Sequence, residues 1–464
     1  MNKVITRFAP SPTGNLHIGG CRTLLYNWLY AKKNNGQIIL RIEDTDRERS
    51  TIEATKNIIE SIEWLGLQCD GKTVYQKDNI LNHQEVVKKL LNDGKAYYCY
   101  CSEDELLQMR ESALKNKSAS MYNNKWRDKT PTKDDLKIKP TVRIKTPLSG
   151  TTVIRDHVQG DVTFNNKDLD DFILLRSDGS PTYLLASAVD DHDLGITHII
   201  RGDDHLNNAA RQATIFDLME WERPQYTHIP LIHSPDGTKL SKRDGALSVL
   251  EYKDEGFLPI AILNYLLRLG WSYGDLEYFT INEMIQYFDV KNIHKSPARF
   301  DKSKLLNINT HYLREEKENN LIDYMSDFEN LKFSAEIKSN LEKIIPHLKT
   351  KAKTLNEIRY LSKYIYSNEF KIPKDVEAEI INKKTKEILI IFCDKLKSIR
   401  EWSIEEITLI IEELIKEEEI KLIEIAKPLR LILTGAIVPT GIYELIYALG
   451  RDLTHQRIST YLHK

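Results

Sequence analysis

Two stretches of the chain carry residue types suited to binding and polarising phosphate. The first is Arg7-Phe8-Ala9-Pro10-Ser11-Pro12-Thr13-Gly14-Asn15-Leu16-His17-Ile18-Gly19-Gly20. It joins a short apolar run, residues 4–8, to a segment in which Cys21, Leu24, Leu25, Trp28 and Leu29 recur at helical spacing. A strand thus delivers a loop to a helix N-terminus, where unpaired N–H groups and the positive end of the helix dipole attract an anion. Pro10 and Pro12 stiffen the loop, Gly14, Gly19 and Gly20 permit turns or close ligand approach, and His17 can donate a hydrogen bond to a phosphate oxygen. The second stretch, Lys239-Leu240-Ser241-Lys242-Arg243, puts three cations within five residues behind the Pro235-Asp236-Gly237 turn. Alone, such a cluster also describes a solvated basic face.

The elements that must position these residues follow from the apolar periodicity. Asn34-Asn35-Gly36 turns the chain into a second apolar strand, residues 37–42, which makes a βαβ unit with a parallel sheet and a right-handed crossover. That strand ends in Arg41-Ile42-Glu43-Asp44-Thr45-Asp46-Arg47, and ligands of open α/β sheets bind beyond the carboxyl ends of strands. A helix over 51–65, with Ile58, Ile59, Ile62 and Leu65 on one side, is followed by a break in the βα alternation. Residues 72–180 read as an insertion with helical stretches, a Lys-rich segment near 115–139 and short β-like runs at 141–145 and 151–154. The sheet is expected to resume at 172–175, followed by 181–192 and a strand over 197–200. That strand ends in Arg201-Gly202-Asp203-Asp204-His205. A guanidinium fork suits a carboxylate, although spacing alone pairs Arg201 with Asp203 or Asp204. A helix over 206–219, a strand near 228–233 and a helical segment over 256–271 complete this part. Beyond about residue 310, Ile, Lys and Glu dominate, and Ile404, Ile407, Ile411, Leu414 and Ile415 form a helical stripe, the mark of a helical bundle core.

With 464 residues the chain is too long for one ordinary core. A net charge of −2 gives no global basic signal, so contacts to nucleic acid must use local patches. Five cysteines without disulfide-like spacing fit a reducing compartment. No apolar signal core follows Met1-Asn2-Lys3 and no run reaches the roughly 18 apolar residues of a membrane span. A cytoplasmic location without a membrane partner is expected. No internal repeat is evident.

His17-Ile18-Gly19-Gly20 resembles the "HIGH" region of class I aminoacyl-tRNA synthetases, with glycine in place of the last histidine. The preceding Arg-Phe-Ala-Pro-Ser-Pro-Thr-Gly is similar to the glutamyl-tRNA synthetase branch, as is Arg41-Ile42-Glu43-Asp44-Thr45-Asp46. Lys239 to Arg243 resembles the "KMSKS" loop, at the distance downstream that this family shows. Phe257-Leu258-Pro259, Ser296-Pro297-Ala298-Arg299-Phe300-Asp301 and Ala426-Lys427-Pro428-Leu429-Arg430 extend the similarity over nearly the whole chain, the last to the anticodon-binding part of bacterial members.

The resemblance implies an α/β fold: a Rossmann-type parallel sheet, an inserted α+β connective domain and an all-helical C-terminal anticodon-binding region. The corresponding boundaries are 1–71 and 181–243 for the catalytic halves, 72–180 for the acceptor-gripping insertion, 244–309 for stem-contact helices and 310–464 for the anticodon-binding region. The implied reaction is ATP- and Mg²⁺-dependent formation of glutamyl-adenylate and transfer to tRNA(Glu), by a monomer. An enzyme charging tRNA(Gln) for later amidation keeps the same chemistry, with Lys349, Lys351 and Lys353 as candidates for reading the anticodon. A non-catalytic RNA-binding relative is the reading from another class. By resemblance, Arg7, Ala9, Ser11, Glu43, Tyr183, Ser187 and Arg201 would hold glutamate, with Arg201 on its side chain, Glu43 at its amino group and Ser187 where some relatives carry asparagine. Pro10, Thr13, Gly14, His17, Gly19, Gly20 and Lys239 to Arg243 (with Leu240, Ser241 and Lys242) would hold ATP, and His17, Lys239 and Lys242 would act on its phosphates. Some bacterial relatives carry a zinc site. Here Cys99-Tyr100-Cys101 lacks the second ligand pair, Trp126-Arg127-Asp128 standing in its place, so no zinc is expected.

Carboxylate attack on the α-phosphorus needs alignment and charge stabilisation, not a covalent enzyme intermediate. Lys242→Ala should therefore lower ATP–pyrophosphate exchange by about 10²-fold or more with glutamate affinity little changed. A near-normal exchange rate would remove Lys242 from the mechanism.

Overall fold

The computed structural model describes residues 3–46, 49–116, 122–238, 240, 247–329, 331–367 and 371–463. Its packing divides into two units, Met1–Tyr252 with Ile262–Lys302, and Lys253–Ala261 with Ser303–Lys464.

The first unit begins with β1 (Ile5–Phe8), α1 (Ile18–Lys33) and β2 (Gln37–Ile42). β1 and β2 pair in parallel, from Ile5 opposite Gln37 to Phe8 opposite Leu40, which is the expected βαβ unit. α1 buries Cys21, Leu24, Leu25, Trp28 and Leu29, the same residues whose spacing announced it. Its last turn places Lys32 and Lys33 at the negative end of the dipole. The chain then leaves through Asn35, at φ 50°, and Gly36. Gly36 approaches the segment before β1 so closely that an added Cβ would stand 2.2 Å from the Val4 carbonyl oxygen. Next, α2 (Ile52–Trp64) starts at Thr51, whose hydroxyl accepts the Ala54 N–H, and β3 (Val74–Tyr75) extends the sheet parallel to β2.

α3 (Ile80–Asn92), β4 (Ala96–Cys99), α4 (Glu103–Lys115), β5 (Thr141–Ile144), β6 (Thr151–Asp156), β7 (Gly160–Asn165) and β8 (Ile173–Leu175) follow. Here the pairing differs from the expectation. β8 does not resume the parallel sheet; it pairs antiparallel with β5, in a separate sheet of order β4-β5-β8. Conversely β6, inside the 72–180 stretch, pairs in parallel with a later strand of the main sheet and antiparallel with β7. Runs of three to six apolar-rich residues signal a strand but carry no information about its partner.

α5 (Tyr183–Asp193), β9 (His198–Gly202), α6 (Leu206–Leu218) and β10 (Gln225–Ile229) complete the main sheet. β9 pairs in parallel with β10, and β10 with β6. β9 also lies beside β1: the Thr197 N–H donates to Ile5 O at 2.9 Å, and Thr197 Oγ1 accepts from Ile5 N at 2.9 Å. The sheets β3-β2-β1 and β9-β10-β6-β7 thus meet where β1 lies beside β9. Leu185 and Val189 of α5 and Ile215 and Phe216 of α6 share one apolar cluster with Val142, Ile144, Phe172 and Leu174, so the antiparallel sheet is built onto these helices. β11 (Ile232–His233), α7 (Val249–Asp254), α8 (Pro259–Arg268), α9 (Ile281–Tyr287) and β12 (Ala298–Arg299) follow. Buried Arg22 and Tyr26 of α1 donate to the carbonyls of Leu269 and Leu267 at 2.6 and 3.1 Å, tying α1 to the end of α8.

The second unit is helical among its described residues, ending with the helix Arg451–Leu462. In the helix Ile404–Glu417 the expected stripe is buried at Ile407, Ile411 and Leu414, while Ile404 and Ile415 are half-buried at its edges. Among the described residues no helix is long and apolar enough to cross a membrane.

Gly36→Ala should destabilise the protein by about 2 kcal/mol, because the methyl group meets fixed backbone rather than a side chain that can move. Gly14→Ala, with no atom within 4 Å of the added carbon, is the control in urea unfolding.

Candidate active site

At the carboxyl ends of β1, β2 and β9 the first unit opens into a cleft of about 700 Å³. The loop after β1, the first turn of α1, Glu43 beyond β2, Tyr183 on α5 and Arg201 on β9 all line it. Of the expected glutamate contacts, Arg7, Ala9, Ser11, Glu43, Tyr183 and Arg201 therefore share one cavity. Ser187 does not belong with them. It is fully buried one turn beyond Tyr183, and its hydroxyl accepts from Arg41 Nη2 at 3.2 Å.

The loop is held at both flanks. Pro10 O accepts the Glu43 N–H at 3.0 Å and Pro12 O accepts the Thr51 N–H at 3.1 Å, so the turn is pinned to the end of β2 and the start of α2. His17 is the N-cap of α1, its Nδ1 accepting the Gly20 N–H at 3.2 Å. That bond puts the proton of the neutral ring on Nε2, the donor a phosphate oxygen requires. A Cβ on Gly19 would stand 3.0 Å from the His17 ring, and one on Gly20 would stand 2.9 Å from Leu16 Cδ1. These two glycines let the cap fold over the helix end. A second cavity of about 410 Å³ shares Thr13, Gly14, Asn15, His17, Gly19, Leu231 and Ile232 with the first and adds Leu240, Ser248 and Glu251. Leu240 thus lines the same cavity as the turn before α1, whereas Lys239, Ser241, Lys242 and Arg243 lie outside the described residues.

Beneath the cleft Arg7 and Glu43 join a buried ionic network with Arg41 and Asp191, two residues to which the sequence assigned no role. Asp191 Oδ1 accepts from Arg7 Nε at 3.1 Å and from Arg41 Nη1 at 2.6 Å, and Arg41 Nη2 reaches Glu43 Oε1 at 3.0 Å. Arg7 thereby has its Nε occupied and its two terminal nitrogens without a protein partner among the described residues. Burial favours the neutral form of Asp191, but Arg41 and then Arg7 outweigh it and hold its pKa below the ordinary carboxylate value. For Glu43 the balance reverses: burial outweighs Arg41 and Arg7, and its pKa is raised. The adjacent Asp190 accepts from Gln76, Asn79 and His83, locking α5 to the β3–α3 segment.

Arg201 is 5 % exposed and does not pair with Asp203 or Asp204, the partners that spacing alone selects. Its donors go to His228 Nε2, Gln212 Oε1 and the His205 carbonyl, at 3.1, 2.9 and 3.2 Å. His228 on β10 and Gln212 on α6 lie 27 and 11 residues away, beyond the reach of any local spacing argument. Tyr183 OH lies 3.1 Å from His205 Nδ1.

In the Cys99-Tyr100-Cys101 region, Cys99 Sγ lies 3.7 Å from Tyr122 OH, and Trp126 is buried under Lys129, whose Nζ lies 4.1 Å from its ring centroid. Arg127 reaches both oxygens of Asp171, at 2.8 and 2.9 Å. The positions that would need to supply a second ligand pair thus form an apolar and ionic cluster. Among the described residues, no three His, Cys, Asp or Glu side chains group to hold a metal.

Two family models match the chain: "tRNA synthetases class I (E and Q), catalytic domain" over residues 3–307 and "Anticodon binding domain" over 316–462. The chain is 47% identical to glutamate--tRNA ligase 2 of Parvibaculum lavamentivorans, covering 98% of this chain and 94% of that one. It is 46% identical to the glutamate--tRNA ligase of Rhodopseudomonas palustris, with 98% of each covered. Among solved structures, the glutamate tRNA ligase of Elizabethkingia meningosepticum in complex with its amino acid is 28% identical, with a TM-score of 0.81 and both chains fully covered.

Removing the charge shared by Arg7 and Arg41 leaves two buried cations short of a partner. Asp191→Ala should cost about 3 kcal/mol or more in urea unfolding at neutral pH. Because the folded pKa of Asp191 is depressed, its contribution is present above the unfolded carboxylate value and is lost as pH falls through the folded one. The gap between wild type and variant should therefore narrow in acid, and a gap that widens there would contradict the network.

Proposed function

The chain belongs to the class I tRNA synthetases of the glutamate and glutamine branch, with both the catalytic and the anticodon-binding domain, and on that premise we propose that it joins L-glutamate to tRNA(Glu) through a glutamyl-adenylate. The observation that carries the reading is one cleft in which Arg7 and Arg201, from strands lying side by side, meet the His17-capped start of α1. A dicarboxylic amino acid needs two cationic contacts, and a nucleotide needs the helix N-terminus.

In the proposed reaction glutamate lies against Arg7, Arg201 and Tyr183, with Glu43 near its amino group. MgATP is the second substrate, its phosphates against His17 and the backbone of Gly19 and Gly20. A glutamate α-carboxylate oxygen attacks the α-phosphorus, the bond to the bridging oxygen breaks, and pyrophosphate leaves. A hydroxyl of the terminal ribose of tRNA then attacks the acyl carbon and AMP leaves. Lys239 and Lys242 supply the opposing charges on the phosphates. Alignment and preorganised charge perform the work.

Residues 1–71 with 181–243 are proposed as the catalytic halves, 72–180 as the part that grips the acceptor end, 244–309 as the stem contact and 310–464 as the anticodon-binding region. An all-helical end supports the glutamate branch, because resemblance gives glutaminyl enzymes a β-barrel there. Of the three candidate lysines, Lys349 is paired with Glu318 at 2.9 Å and Lys351 donates to the Pro439 carbonyl. Lys353 is exposed and its ammonium has no protein partner among the described residues, which makes it the strongest candidate for an anticodon contact. A cytoplasmic monomer is the proposed working form.

The test is charging of glutamate tRNA and glutamine tRNA transcripts, from the protein's own source, with labelled glutamate and MgATP. Charging of the first alone is the expected result. Charging of the second as well, or instead, would assign the chain to the amidation route, and charging of neither competent transcript would overturn the enzymatic reading.

A further inference from the structure

Arg201 presents one face to the cleft and is held from behind by a line of buried groups on two other strands. Its Nε donates to His228 Nε2 at 3.1 Å. A guanidinium nitrogen can only donate, so His228 Nε2 is the unprotonated acceptor and the ring proton sits on Nδ1. Nδ1 lies 2.7 Å from Asp156 Oδ2, which also accepts the His228 backbone N–H at 2.9 Å. The other oxygen, Oδ1, accepts the N–H groups of Val158 and Gln159 at 2.9 and 2.8 Å, so the carboxylate cannot turn away. The side chains of Asp156 and His228 have no solvent exposure, and neither lines the cleft.

We propose that Asp156 and His228 are positioning residues that set the plane of the Arg201 guanidinium and thereby the enzyme's grip on the glutamate carboxylate. The inference rests on the reading of the cleft as a glutamate site. Gln212 and the His205 carbonyl take one N–H each from the terminal nitrogens, and His228 takes Nε–H. Three of the five N–H groups are then committed, and one on each terminal nitrogen remains for a ligand. With the imidazole proton fixed by Asp156, the ring accepts from Arg201 instead of opposing it. The opposite tautomer would set two donors face to face. A carboxylate placed directly against Arg201 would neutralise the cation that the substrate needs. A neutral imidazole between them transmits orientation while leaving the charge facing the cleft.

The test is steady-state tRNA glutamylation by the full-length protein carrying His228→Ala, His228→Gln, Asp156→Asn, Arg201→Lys, or His228→Ala with Arg201→Lys, each first shown to be folded by circular dichroism. His228→Ala should raise the KM for glutamate about 10-fold or more with kcat within about 3-fold and the KM for ATP unchanged. His228→Gln, whose amide oxygen can accept from Nε, should recover most of the loss. In the Arg201→Lys background, which lacks Nε–H, the His228→Ala effect should vanish. If His228→Ala does not fold, Asp156→Asn gives the reading: it reverses the imidazole proton and should raise the glutamate KM in the same selective way. An unchanged glutamate KM in the folded variants, an equal rise in the Arg201→Lys background, or a parallel loss for all substrates would overturn the positioning role. If Arg201→Lys itself leaves the glutamate KM unchanged, the glutamate reading of the cleft fails first and the proposal falls with it.

Discussion

The carboxylate of Asp191, buried between the guanidinium groups of Arg7 and Arg41, ties the ends of β1 and β2 to α5. Two cations cannot be placed in a protein interior without a counter-charge, so the sheet end that forms the cleft floor depends on a residue that arrives 150 positions after Arg41. The consequence for chemistry is a division of labour within one group. Arg7 has its Nε on Asp191 and its terminal nitrogens free of protein partners among the described residues, while Arg41, fully buried, commits its two terminal nitrogens to Asp191, Glu43 and Ser187. One arginine faces the cleft and the other is committed to the scaffold.

The same economy governs the sheet. Because β9 lies next to β1, two chain segments separated by the antiparallel sheet end at one place, and each carries an arginine one residue before its end. The proposed phosphate site is the loop between β1 and α1, which is pinned at Pro10 and Pro12 and capped by His17. Rigid parts of the fold thus bring Arg7, Arg201 and the His17-capped start of α1 to a single cavity. An enzyme that works by alignment requires this preorganisation.

What the sequence made legible were features written in local spacing. The βαβ unit was visible because Cys21, Leu24, Leu25, Trp28 and Leu29 repeat at helical intervals, and the strand-end rule then brought Glu43 and Arg201 to the same edge. The partner of each charged group was not legible. Arg201 pairs with His228 and Gln212 instead of its neighbours Asp203 and Asp204, and Ser187 turns inward to Arg41 although Tyr183, one turn earlier on α5, reaches the cleft. β8 was recognisable as a strand, yet its antiparallel pairing with β5 depends on contacts remote in sequence. Burial and long-range pairing decide these cases, and neither leaves a periodic trace.

The most direct test of the central claim is a crystal structure of the protein with glutamate and a non-hydrolysable ATP analogue. The account predicts glutamate in the cleft, with carboxylate oxygens about 3 Å from terminal nitrogens of both Arg7 and Arg201 and the nucleotide phosphates at the His17 end of α1. Glutamate bound elsewhere, or lying in the cleft with its carboxylates away from both arginines, would contradict it.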